Sequence, residues 1–341
     1  FISASWVHAT EAWVLSAGVD NYAHIGDLKG CVADAQTTTA VFNAQAGKLF
    51  TRVYAQTLVN GQATKGAILQ RMQEMSRRGN AGDYMVIFLS GHGGRTNNNQ
   101  TWYFCPQDYH PKNFGATALT DREILNAAHA MVVQGKKVFI IVDACYSGQL
   151  NIAARGYMQN YRQGGGLVVM VSSAANQTSR ALGQYSAFAR AFAESMSNAD
   201  SNRDGRVTLD EVRGFTYRRT HQLAQGQNSE VSWSPSMGGN LTLAVLRANN
   251  PQPAGAPTWV GRENLQGFGN LAFTFHNNGQ VTMRDARGTS QGTWTRNGSQ
   301  VVLRFSNGQV VYNGTINGNT MSGTARNSKG GQWNWSVQLS R

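Results

Sequence analysis

Between residues 12 and 246 the apolar positions come in short continuous runs, and from residue 258 onward they alternate with polar ones. "AWVLSAGV" (12–19), "RVYAQTLV" (52–59), "YMVIFLS" (84–90), "KVFIIVD" (137–143) and "GLVVMVSSA" (166–174) each read as a strand. Helical spacing separates them at 34–47, at 64–79 and at 121–135. In the second of these, Ile68, Leu69, Met72 and Met75 recur at helical intervals before a stop at Gly79. "LTLAVL" (241–246) is expected to close the domain as a final strand. Continuously apolar strands alternating with helices predict an α/β fold, a mostly parallel sheet covered by helices on both faces.

"ANNPQPAGAP" (248–257) carries three prolines and no periodicity, which predicts a linker. After it, Asn-Gly pairs recur between short alternating runs such as "LAFTF", "QVVLRF" and "WNWSVQL". Asn-Gly between alternating runs is a strong hairpin signal. The expected organisation is therefore one domain over 1–247, a linker at 248–257, and a C-terminal all-β antiparallel barrel or sandwich over 258–341, of about eight strands.

Composition narrows the function classes. The net charge is +12, yet no Lys/Arg block of the kind that tracks phosphates is present; the nearest is five arginines spread from Arg203 to Arg219. A solvated basic surface is expected rather than a nucleic-acid site. No apolar run approaches the ~18–20 residues of a membrane span. Three cysteines, Cys31, Cys105 and Cys145, are too few and too odd in number for a disulfide scaffold, although a Cys31–Cys105 pair stays open. Few charged residues and many Asn, Gln, Ser, Thr and Gly lean towards an exported bacterial protein, with a cytoplasmic one also open. The chain begins at Phe1 rather than Met, as expected of a removed N-terminal piece.

Two of the apolar runs stop at a reactive side chain wrapped in glycine: "YMVIFLSGHGGR" at His92 and "KKVFIIVDACYSGQ" at Cys145. Ligands of such sheets sit at the carboxyl ends of the strands. If the two strands are neighbours, a thiol and an imidazole meet there, as nucleophile and base. An adjacent imidazolium would lower the cysteine pKa. Gly91, Gly93 and Gly94 allow close backbone approach, and the N–H groups of Gly93 and Cys145 are candidate donors to an oxyanion.

"SGHG" and "DACYSG" resemble the His and Cys motifs of the caspase-like cysteine peptidases, most closely the metacaspase and bacterial orthocaspase type. "GVDNYAHIGDLKGCVADA" (18–35) is similar to the metacaspase opening motif, so the resemblance spans roughly residues 10–246. It implies a cysteine endopeptidase acting on protein or peptide substrates with Arg or Lys before the cut. It implies a basic-residue pocket formed by Asp34, Asp143 and Ser90. Physically, two buried carboxylates beside a nucleophile call for a cation to join them. A helix N-cap is the alternative for Asp34 and structural hydrogen bonding for Asp143 and Ser90. Cys31 matches a second cysteine of the opening motif and is expected to be inert. The segment 147–166 reads as a long glycine-ended loop, in which Arg155 and Arg162 are candidate self-cleavage positions.

"DSNRDGRVTLDE" (200–211) fits a calcium-loop pattern, with Asp200, Asn202, Asp204, the Arg206 carbonyl and Glu211 as ligands. Ca²⁺ is a candidate there, although Arg203 and Arg206 weaken it. The activating calcium site of metacaspases includes a "DDE" stretch, which here reads Asp121, Arg122, Glu123. That departure favours catalysis with no required cofactor. A monomer without membrane or nucleic-acid partners is expected. A catalytically silent, calcium-responsive binding scaffold on the same fold is the alternative. Trp259, Trp294, Trp333 and Trp335 either fill a small barrel core or stack on sugars.

Overall fold

The continuous apolar runs become strands of one sheet: β1 (Ala12–Gly18), β2 (Val53–Val59), β3 (Tyr84–Ser90), β4 (Lys137–Asp143) and β5 (Gly166–Val171), joined at one edge by β6 (Glu230–Trp233). The computed structural model describes residues 10–98, 100–179, 181–246, 258–276, 279–297 and 299–340. The strand order is β6-β5-β4-β3-β1-β2, parallel throughout except for β6, which runs antiparallel to β5. All of β3 and all of β4 but Lys137 are buried.

Six helices cover the sheet: α1 (Cys31–Asn43), α2 (Lys65–Arg78), α3 (Asp121–Val132), α4 (Gly148–Met158), α5 (Ala187–Asn198) and α6 (Leu209–Leu223). Successive strand residues point to opposite faces, so each strand feeds two cores. Leu15, Ile87, Ile140 and Val169 meet Ile68, Met72, Ile124 and Leu150 on one face. Val14, Val86, Phe88 and Phe139 meet Phe42, Phe188, Phe192 and Val212 on the other. Each such fully buried side chain contributes ~1.5–3 kcal/mol relative to exposure.

Two expectations need correction. Residues 147–166 are not one long loop, because Gly148–Met158 is helical. Leu150, Asn151, Ala154 and Met158 recur on its buried face. The final strand expected at 241–246 is present as Thr242–Val245, where it pairs antiparallel with Arg206–Thr208 outside the main sheet. Asp34 is no N-cap, since Gly30 holds that position and Asp34 lies in the first turn of α1.

The chain divides into two compact units, Phe1–Ala248 and Asn249–Arg341. The expected linker, 248–257, lies outside the described residues. The second unit is a closed antiparallel barrel of β7 (Thr258–Glu263), β8 (Asn270–Phe275), β9 (Gln280–Asp285), β10 (Gly288–Asn297), β11 (Gln300–Phe305), β12 (Val310–Asn317), β13 (Thr320–Asn327) and β14 (Gln332–Leu339). β7 pairs with β14 and closes it. Trp259, Trp333 and Trp335 are buried among Phe273, Phe305 and Tyr312, and Trp294 packs against them. These tryptophans fill the core. The barrel also buries Glu263, whose carboxylate accepts hydrogen bonds from Tyr312 Oη (2.8 Å) and Trp333 Nε1 (2.6 Å).

Candidate active site

The chain leaves β1 for β2 on one side and returns to β3 on the other, so the strand order reverses between β1 and β3. A crevice opens at the carboxyl ends of strands at such a point. Register fixes what stands there. Gly18 pairs with Ser90, and Ser90 pairs with Asp143. His92 and Cys145 each follow two residues beyond that shared level. They line one cavity of about 120 Å³ with Cys31, Asp34, Ser90, Asp143, Ser179 and Ser186.

Glycine makes the close approach possible. A Cβ on Gly93 would lie 2.7 Å from the Cys145 carbonyl oxygen and 2.9 Å from the Ala144 Cβ. The same carbonyl accepts a hydrogen bond from Trp102 Nε1 at 3.0 Å. The residue after Cys145, Tyr146, takes φ 60°, a left-handed turn that swings the chain sharply from β4 into α4. Its N–H donates to Gln177 O at 2.8 Å, and Arg95 lies over its ring at 4.5 Å.

The His92 ring is held by Gly26 O, 2.9 Å from Nε2. A carbonyl oxygen only accepts, so Nε2 carries the proton and Nδ1 keeps a lone pair. The His92 backbone N–H donates to Tyr22 Oη at 2.8 Å. No hydrogen bond joins imidazole and thiol among the described residues; in peptidases this bond often tightens only with substrate bound. Burial pushes the Cys145 thiol up, and the neighbouring Asp143 pushes it further. This corrects the expectation of a lowered pKa: the surroundings of Cys145 favour the thiol over the thiolate.

Behind the thiol lie the two acids. Asp34 and Asp143 are 1% and 4% exposed. Asp34 accepts from Ser90 Oγ at 3.0 Å and from the Ser186 N–H at 3.1 Å. Asp143 accepts from Ser179 Oγ at 2.5 Å, from Ser186 Oγ, and from the Ala189 N–H at 3.1 Å. Burial, with Asp143 alongside, raises Asp34 to about 7 despite these hydrogen bonds. Burial raises Asp143 as well, against donation from Ser179, Ser186 and Ser172. Asp34, Asp143 and Ser90 are legible as pocket residues from the sequence, whereas Ser179, Ser186, Tyr22, Gly26 and Trp102 are not. Small serines carry no periodic signal. Tyr22 and Gly26 do stand inside the opening motif.

Cys31 shares the cavity, but burial raises its thiol far above the ordinary range, even with a hydrogen bond from Ser90. All three cysteines are free, so no Cys31–Cys105 disulfide forms. Arg155 is exposed in the last turn of α4, whereas Arg162 is exposed in irregular backbone beyond it.

In the 200–211 loop the donor set is all oxygen, which suits a hard cation. Those oxygens already serve the loop itself. Asp200 accepts from the N–H groups of Asp204 and Gly205, at 3.1 and 2.9 Å. Asn202 Oδ1 accepts from the Asp204 N–H at 3.0 Å, and Asp204 accepts from the Arg206 N–H at 2.8 Å. Glu211 caps α6 through Thr208 and also accepts from Ser201. Burial opposes its ionisation, but those hydrogen bonds outweigh it and hold its pKa at about 2. Among the described residues no three His, Cys, Asp or Glu side chains converge as a metal site. Asp121 accepts from the Trp102 N–H, and Glu123 caps α3 and pairs with Lys65 at 2.9 Å.

Comparison with known proteins bears on this arrangement. No curated protein matches the chain. A solved structure of a Geobacter sulfurreducens protein matches with TM-score 0.52 at 15% identity, over 70% of this chain and 99% of that one, a likeness of fold alone. The family model of the caspase domain matches residues 12–236. With that span covering the sheet, its helices and the His92–Cys145 crevice, the chain belongs to the caspase-domain family.

Proposed function

We propose that the protein is a cysteine endopeptidase that hydrolyses peptide bonds after Arg or Lys. One observation carries this reading: the crevice that holds His92 and Cys145, lined also by Lys29, is floored by two buried carboxyls that form no ion pair with a cation among the described residues. A guanidinium or ammonium entering the crevice supplies that cation and can pair bidentately if it is Arg. Its positive charge favours the ionised acids, so the site is built to be completed by substrate.

In the reaction, Cys145 Sγ attacks the carbonyl carbon as its proton passes to His92 Nδ1. The N–H groups of Gly93 and Cys145 receive the oxyanion. The C–N bond then breaks and His92 returns the proton to the leaving amine. Water, deprotonated by the same imidazole, hydrolyses the thioester and restores the thiol. Gly26 O orients the ring throughout.

No step needs a metal. Arg122 replaces an acid of the metacaspase activation stretch, Asp121 accepts from the Trp102 N–H, and Glu123 is engaged in capping α3. A Ca²⁺ ion at 200–211 would share the Asp200, Asn202 and Asp204 oxygens with the loop's own hydrogen bonds. The test is a panel of fluorogenic peptides that differ only before the cut, assayed with and without EDTA. Cleavage after Arg and Lys, insensitive to EDTA and absent from Cys145→Ala, is expected. Cleavage after Asp, strict Ca²⁺ dependence, or a fully silent wild type overturns the respective part; silence on every peptide favours the scaffold alternative.

A further inference from the structure

A second built cavity lies away from the active site, at the opposite edge of the sheet from β2. The strand there, β6, pairs on one side with β5 and with no strand on its other side among the described residues. Open edges invite another strand. A cavity of about 480 Å³ runs along it, walled by α4 and α6. Residues 213, 214, 217 and 218 share one face of α6, as 151 and 155 do on α4.

The chemistry of this cavity is one-sided. Arg155, Arg213 and Arg218 all line it and all are exposed. Its one carboxylate, Glu230, receives a hydrogen bond from Asn151 at 2.9 Å. Arg213 is braced by Asp210 at 2.9 Å and by the Trp233 ring at 4.9 Å. Tyr217, 50% exposed, offers an aromatic surface between the arginines. At the cavity wall, Ser229 Oγ is buried without a hydrogen-bond partner. A buried hydroxyl left unpaired is costly unless something completes it.

We propose that the open edge of β6 and this arginine-lined cavity form a docking site for an extended acidic segment of a partner protein. The backbone of the segment adds to β6, and alternate acidic side chains reach the guanidiniums. A second copy of this chain is a poor occupant: it would set arginines against arginines, between two molecules of net charge +12.

Fluorescence anisotropy of the full chain with a labelled peptide alternating Glu and Val tests this, with the Gln-Val peptide as control. Saturable binding of the Glu peptide, weakened by salt and weakened about tenfold or more in Arg155→Gln/Arg218→Gln, is expected. Both positions are exposed, and an unchanged thermal melt shows that the variant folds. Equal binding of the Gln peptide, no loss in the double variant, or no binding at all overturns the proposal. So does a dimer in solution that Arg218→Glu dissociates, since that edge would then belong to a second copy. None of these readouts depends on peptidase activity.

Discussion

At the scale of single residues, the proposed chemistry rests on a thiol whose ionisation burial opposes. Removing its base therefore matters: His92→Ala is expected to lower kcat/KM by about 10²–10⁴-fold, and Cys145→Ala to abolish turnover, with folding unchanged by circular dichroism. Asp34 gives a pH signature whose sign can be worked out. Its pKa is about 7 in the folded chain against an ordinary 3.8. The folded state thus binds this proton more tightly than the unfolded chain. The acid is most favourable to folding below pH ~4, and that advantage declines as pH rises to about 7. A bound guanidinium reverses the preference. KM for an Arg peptide is expected to climb as pH falls below about 7, and Asp34→Asn to raise KM strongly while removing that dependence. A pH-independent KM in the wild type would count against Asp34 in the pocket. His92 and Cys145 were legible because long apolar runs stop beside them. Ser179 and Ser186, which hold Asp143, were not, because an isolated serine looks the same in a loop or in a pocket.

At the scale of elements, the site depends on two strand ends brought side by side. Gly93→Ala places a methyl against the Cys145 carbonyl and Ala144, both within 3 Å of it. The ends of β3 and β4 must part to accept it, so activity should fall more than stability does, which a paired assay and thermal melt would reveal. The segment after Cys145 is the clearest case of a misread element. "GQLNIAARGYM" has glycine at its first position and near its end, and those glycines interrupt its helical signal. Only packing against β5 shows it to be α4. That bears on self-processing. A peptidase takes extended chain, and Arg155 is helical while Arg162 is not. If the enzyme cuts itself, N-terminal mapping should find the cut after Arg162, absent from Cys145→Ala; a cut after Arg155 would require α4 to unwind first. β6 was equally hard to read, since "EVSW" is short and half polar, and its antiparallel place depends on a distant partner, β5.

At the scale of the whole molecule, two kinds of sheet solve the edge problem differently. The barrel closes on itself through β7 and β14, so every strand has two neighbours. Its alternating runs and the Asn-Gly pairs at 307–308 and 317–318 made it legible, because both signals are local, although Asn313-Gly314 lies inside β12 rather than in a turn. The first unit keeps an open sheet, with β2 and β6 as edges, and its order cannot be read from local pattern. Each unit also has its own core: Phe273, fully buried, packs with Phe305, Tyr312 and Trp335, all of them barrel residues. Stability should therefore be divisible. Phe273→Ala empties the centre of the barrel and is expected to cost about 3–5 kcal/mol there. Scanning calorimetry of the full chain should show one transition moving down while that of the peptidase unit stays in place, and hydrolysis of short Arg peptides should persist between the two temperatures. A single transition that shifts as a whole would mean that the two cores melt as one.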